Sequence, residues 1–163
     1  MRWVSILTLL AALGSGLVAG VFFGFSSFVM KALGRLPAGK AVETMQSINV
    51  TAVTPVFMIV FMGTALAALA LGIAVLPRLN EAGARFVLCA SVLYLVGVFG
   101  VTVIGNVPLN DALAKLSPDS PEAAALWPKY FSGWSLWNHV RTLASLGSLT
   151  LYILAIRAGA GKL

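Results

Sequence analysis

Residues 131–156 read FSGWSLWNHVRTLASLGSLTLYILAI. Only His139 and Arg141 interrupt the run with groups that carry charge. A helix needs roughly 20 mostly apolar residues to cross a bilayer, and this stretch is longer than that. Three more runs contain no charge at all: Trp3 to Met30, Val53 to Pro77 and Phe86 to Asn110. The strands of a membrane barrel need only ~10 alternating residues; these runs are longer and do not alternate. The expected fold class is therefore all-α, an integral membrane four-helix bundle with a short extra helix in the 3–4 loop. The helices are expected at about 3–30, 42–76, 84–105 and 131–157 of a single domain covering 1–163.

Composition agrees with that reading. Of 163 residues, 60% are hydrophobic and 10% charged, against about 25% charged in a soluble domain. Mean hydropathy is +0.97. The net charge of +6 is spread over single basic residues between apolar runs. That pattern marks membrane flanks and argues against a nucleic-acid partner. One cysteine, Cys89, excludes an intramolecular disulfide. Arg2 and the apolar residues after it faintly resemble a signal peptide, but an h-region is only about 7–15 residues long. An uncleaved first helix is expected.

The polar residues gather between the runs. In the first run Ala12, Gly16, Gly20 and Gly24 recur every fourth residue, a small-residue face open to another helix or a second copy of the chain. Homo-oligomerisation through the Gly16/Gly20/Gly24 face is one expectation, packing inside the bundle the other. Phe22, Phe23, Phe25 and Phe28 flank it, facing lipid or walling a pocket. Glu43, Gln46 and Asn49 are spaced by threes and share one side of a helix, either as a solvated face or as a stripe aimed into a cavity. Pro55 is expected to kink the second helix. Gly105 and Pro108 in VIGNVPLNDAL are expected to stop helix 3 and restart a short one, leaving Asn106, Asn110 and Asp111 at the break. SPDSPEAAALWP is expected to be a solvated linker.

Four spans put both termini and the LPRLNEAGAR turn on one side. Arg2, Arg78, Arg85, Arg157 and Lys162 lie there in short segments, and Lys31, Arg35, Lys40, Lys115 and Lys129 lie opposite in longer loops. Basic residues in long loops orient less strongly, so both termini are expected in the cytoplasm, with the protein in the cytoplasmic (inner) membrane.

The opening stretch then begins helix 4 on the elaborate side, beside the Asn49 and Asn106–Asp111 clusters. At 100° per residue, Trp134, Trp137, Asn138, Arg141, Ser145, Ser148 and Tyr152 share a face that should point inward, because lipid offers it no partners. His139 lies about 160° round the helix from Arg141, so the two should reach toward different neighbours without touching. Asp111 and Glu43 are the acids expected to pair with Arg141. Blander readings remain beside these: a snorkelling arginine, an interfacial histidine, an aromatic belt of Trp134 and Trp137.

The segments GVFFGFSSFVMKAL, ETMQSINVTAVTPVFM, IGNVPLNDAL and WSLWNHVRT occur in this order over nearly the whole chain. In these the chain resembles the anthrone oxygenase-like family of small four-helix membrane proteins. The resemblance implies oxidation of an anthrone to an anthraquinone by dioxygen, with no cofactor. An anthrone has an acidic CH between aromatic rings, and its enolate can pass an electron to dioxygen unaided. Under that reading His139 would be the proton acceptor, since imidazole titrates near neutral pH. Arg141, Asn138 or Asn106 would stabilise the enolate oxygen. Trp134, Trp137 and phenylalanines would hold the rings, and Asp111 would pair with Arg141 or orient a donor. Asn49 and Asn110 join the expected lining of a small hydrophobic aromatic ligand.

Other readings stay open. A metal or haem protein would have to use His139, Cys89, Asp111, Glu43 or amide oxygens, a thin set for zinc or copper, and no CxxCH is present. The protein could instead be a non-enzymatic membrane module that binds a quinone-like or lipid-soluble ring compound. A transporter is disfavoured by four helices without a repeat.

Overall fold

The computed structural model describes residues 2–159; Lys162 and the side chain of Arg2, both weighed for orientation, lie outside that description. Helix α1 covers Arg2–Gly24 and passes through a π-helical turn, Phe25–Val29, into α2, Met30–Leu33. Helix α3 covers Ala38–Thr51 and α4 Pro55–Val75. Helix α5, Ala82–Tyr94, continues through two π-helical turns, Leu95–Gly100 and Thr102–Asn106, into α6, Val107–Ala114. Helix α7 runs from Pro121 to Arg157. Four spans are long and apolar enough to cross a membrane: Trp3–Leu33, Pro55–Arg78, Ala82–Ala114 and Pro121–Arg157. The protein is an all-α integral membrane bundle.

The spans form a ring. Helix α7 packs on α1 and α5, and α4 packs on the same two from the other side. Between membrane helices apolar burial gives little driving force, so close packing and hydrogen bonds must supply it. Gly14 lets α1 approach α4 where a Cβ would run into Thr64. Ser148 donates to Ala90 O at 3.0 Å, and Tyr152 and Ser91 hydroxyls lie 3.0 Å apart, tying α7 to α5. Those residues and Ser145 are buried, so the expected inward stripe of α7 is present, with Trp137 its exception at 36% exposed.

Three buried clusters occupy the interior. Val4, Leu71, Val87 and Tyr152 belong to one at the termini end. Val18, Phe22, Phe61, Tyr94 and Val98 belong to the second. The third joins Met30, Met45, Leu113, Trp127, Tyr130 and Trp134, and is the core of a cap made by α2, α3, α6 and the start of α7.

Four boundaries differ from expectation, each for a local reason. The first span stays helical to Leu33 by widening into a π turn. The second expected helix is two helices. Thr54 leaves helical geometry (φ −67°, ψ 150°), and Pro55 opens α4 instead of kinking a longer one, the position where its missing N–H does no harm. Helix 3 does not break at Asn106–Pro108. Asn106 keeps helical angles (φ −87°, ψ −40°); the π turn shifts the hydrogen-bond register, so the short helix at Pro108 continues from the span rather than restarting after a gap. Finally, the segment taken for a linker is helical from Pro121. Ser120 caps it by accepting Ala123 N–H at 3.1 Å, the alanines favour helix, and Trp127 is buried in the cap cluster. Pro128 lies within α7 on its exposed side.

Candidate functional site

Beneath the cap lies a cavity of about 680 Å³. Phe22, Phe25, Phe57, Phe61, Phe99 and Trp134 supply its aromatic walls. Phe57 stacks on Phe61 with centroids 5.7 Å apart, Phe99 lies 5.9 Å from Phe61, and Phe25 lies 5.3 Å from Trp134. Asn49, Thr102, Asn110 and Arg141 are among its polar lining residues, and Thr51 at the end of α3 with the non-helical link Ala52–Thr54 before α4 forms part of its rim.

Arg141 is 4% exposed. Its Nη2 donates to Asn138 Oδ1 at 2.9 Å and its Nη1 to Thr102 Oγ1 at 3.3 Å. Its Cζ stands 4.1 Å from the Phe22 ring centroid and 5.2 Å from that of Trp134. A guanidinium has five N–H groups, and here Nε–H has no partner. Nor is there an acid: among the described residues the ion pair is Lys40 with Glu43 at 2.9 Å, on the surface. There Glu43 raises the Lys40 pKa above its ordinary value, first by its hydrogen bond and then by its charge. Asp111 is exposed on α6. The expected pairing of Arg141 with Asp111 or Glu43 is thus corrected; both acids sit at the aqueous border, where solvation favours them.

Behind Arg141 the hydrogen bonds continue. Asn138 is fully buried; its Nδ2 donates to Phe22 O and to Ser26 Oγ, both at 2.8 Å. The Ser26 oxygen lies 3.1 Å from Thr142 Oγ1 and 2.8 Å from His139 Nδ1. Thr142 Oγ1 also lies 2.8 Å from Asn138 O, to which it can donate. Arg141 and His139 do not touch, as their angular separation foretold; Asn138 and Ser26 connect them.

The π turns explain why these groups meet. Such wide turns occur often at functional sites. Phe25 and Ser26 lie in the first, Phe99 in the second and Thr102 in the third, so two helices distort beside the same guanidinium.

Of the residues singled out from sequence, Asn49, Asn110, Trp134 and Arg141 line the cavity. Tyr130 OH donates to Asn110 Oδ1 at 2.9 Å and accepts from Asn49 Nδ2 at 3.4 Å. Asn138 stands behind Arg141. Asn106 is buried, gives its Nδ2 to Trp134 O at 3.2 Å and leaves Oδ1 without a partner. Trp137 does not line the cavity and packs on Gly105, where a Cβ would come within 2.7 Å of it. His139 is exposed and is absent from the lining, as is Asp111. Gln46 holds the end of α6 by donating to Leu113 O and Leu116 O at 2.8 and 2.9 Å, so only Asn49 of its stripe faces the cavity. Cys89 is exposed on the outer face. Among the described residues no three His, Cys, Asp or Glu side chains come together. Sequence reasoning missed Ser26, Thr102, Phe57, Phe61, Phe99 and Tyr130; the one signal was Ser26 interrupting an apolar run.

Residues 56–151 match the family model described as anthrone oxygenase. The chain belongs to that family. No curated protein and no solved structure matches it significantly. The anthrone oxygenase match reaches from α4 into α7 and so includes Thr102, Trp134, Asn138 and Arg141, while Ser26 and Asn49 lie before it.

Proposed function

We propose that the protein is a membrane-embedded, cofactor-independent oxygenase for a polycyclic aromatic substrate, anthrone- or quinol-like. One observation carries this reading: a buried guanidinium without an acid partner faces an aromatic-walled cavity. Its volume lies within the ~300–1,000 Å³ of ligand sites. Flat rings fit between phenylalanines and Trp134, and Arg141 meets the ring oxygen where negative charge grows.

The chemistry balances without a further reactant. An anthrone loses a CH proton and becomes an enolate, held by Arg141. The carbanion carbon gives an electron to dioxygen, which is at home in an apolar cavity, and the radical pair joins to a C–O bond. The peroxide takes back a proton, its O–O bond breaks, and the remaining CH proton leaves as water departs. Anthrone and dioxygen become anthraquinone and water. The cavity lining contains no carboxylate or imidazole, so water at the Thr51–Thr54 rim carries the proton, and His139 acts only through Ser26.

The test is anthrone-dependent oxygen uptake by purified protein. Arg141→Met should lower turnover by about 10²–10³-fold, the effect of losing an oxyanion donor, and His139→Ala by less than tenfold. A fall of about 10²–10⁴ in His139→Ala, the contribution of a general base, would return the proton to the imidazole. The same lack of a lining base favours a second reading, a binding module for a quinone-like ring; ring binding without oxygen uptake would decide for it.

A further inference from the structure

We infer that the Arg141 site selects the ionised form of its ring ligand, an aromatic phenolate or enolate, and that Asn138 and Ser26 are the positioning residues that leave the guanidinium's charge uncompensated for it. The inference rests on the cavity as a ring site and adds the charge state of what it takes.

At 2.9 Å from Arg141 Nη2 stands an amide oxygen, where a carboxylate of almost the same shape would give an ion pair. The amide cannot turn over. Both of its hydrogens are engaged, by Phe22 O and Ser26 Oγ at 2.8 Å, so Oδ1 must face the guanidinium. A flipped amide would lose these bonds and set NH₂ against Nη2. Ser26 is held in turn by Thr142 and His139, and its place in the π turn at Phe25–Val29 brings it to Asn138.

Phe22 and Trp134 lie against the guanidinium. Nε–H remains without a partner, and the cavity adjoins the group. Among the described residues no other charge serves it. The Tyr130 hydroxyl donates to Asn110, His139 is bonded to Ser26 on the far side, and no carboxylate pairs with Arg141. A cation in so apolar a place is costly until an anion joins it. A neutral ring cannot supply that compensation; its conjugate base can.

The probe is a hydroxyanthraquinone, whose absorption moves to the red when its phenol ionises and which is not turned over. Purified protein in detergent micelles is titrated with pH in its presence. Bound to the parent protein, the dye should ionise about one to two pH units lower than in protein-free micelles. That corresponds to phenolate binding roughly ten- to hundredfold tighter than phenol, the scale of a charge-assisted hydrogen bond. Asn138→Asp supplies the carboxylate and should abolish the shift; Ser26→Ala should reduce it. If Asn138→Asp does not fold, Arg141→Gln must abolish the shift instead. No dye binding, an unshifted midpoint, or a full shift in Asn138→Asp or Arg141→Gln overturns the inference. Oxygen uptake with an anthrone separates this from the oxygenase reading. Uptake without a dye shift removes charge selection alone, and a dye shift without uptake removes the oxygenase alone.

Discussion

Arg141→Met should leave the protein about as stable as before. Breaking a buried ion pair costs about 3–5 kcal/mol, because the abandoned partner keeps its charge in a dry place. Among the described residues Arg141 has no such partner. Removing it forfeits a charge-assisted bond to Asn138, worth about 1.5–3 kcal/mol and including the penalty of leaving Oδ1 unmet, and ring contacts worth about 1–3 kcal/mol together. Thr102 loses little, since its hydroxyl already donates to Val98 O at 2.8 Å. Against these losses stands relief from holding an uncompensated cation out of water, several kcal/mol. Methionine is flexible and apolar and fills the vacated channel. The terms nearly cancel, so the net change should stay within about 2 kcal/mol. For a chain of this size that is a melting shift of roughly 4–8 °C at most, in either direction. The assay is thermal unfolding in micelles, followed by helical circular dichroism, beside ring binding on the same samples. Binding should collapse while the melt hardly moves. A fall of 3–5 kcal/mol would mean that an acid reaches Arg141, and the account of a free charge would be wrong.

Other outcomes are smaller in scope. Gly14→Val should cost about 1–3 kcal/mol by forcing α1 off Thr64, whereas Gly20→Val, with nothing within 4 Å of its Cβ position, should change stability by less than about 0.5 kcal/mol; paired thermal melts compare them. Gln46→Ala frees the carbonyls of Leu113 and Leu116 and should cost about 1–2 kcal/mol, with hydrogen exchange rising first in α6. Lys40 carries a raised pKa because of Glu43, so whatever stability the pair adds is present below lysine's ordinary pKa and fades as pH rises through the raised one. NMR titration should place Lys40 lower in Glu43→Gln, and unfolding midpoints of the two proteins should run parallel between roughly pH 6 and 9.

Span number and the inward face of α7 were legible because both follow from counting apolar residues and helical phase. Arg141 could be placed at the site for the same reason: a charge inside such a run needs a polar neighbour. Its neighbour's identity was not legible. Asp111 and Glu43 are close in sequence to the membrane, yet water keeps them, and a neutral amide one turn before Arg141 on its own helix takes their role. The π turns were hidden as well. Gly105 and Pro108 announce a disturbance, but whether a helix answers by stopping or by widening depends on what packs beside it, here Trp137 against Gly105. Phe57, Phe61 and Phe99 looked like any lipid-facing residues, since in an apolar chain composition does not separate a wall from a coat.

The wide turns also bear on how length variation would be felt. Each holds one residue more than an α-helical turn over the same rise. Deleting a single residue between Phe25 and Val29 need not shorten the span; it can relax the turn into ordinary helix. The helix on both sides of the deletion would then keep its bearing, because the residue lost is the surplus one. What would be lost is the local widening that sets the Ser26 hydroxyl and the Phe22 carbonyl together on Asn138, although every side chain that binds it would still be encoded. Between Leu95 and Asn106 the same edit would close one of the turns that hold Thr102 beside Arg141. Loss of one codon there removes a bulge and spares the span, so variants in this region are better judged by whether the wide turn survives than by the residues they keep.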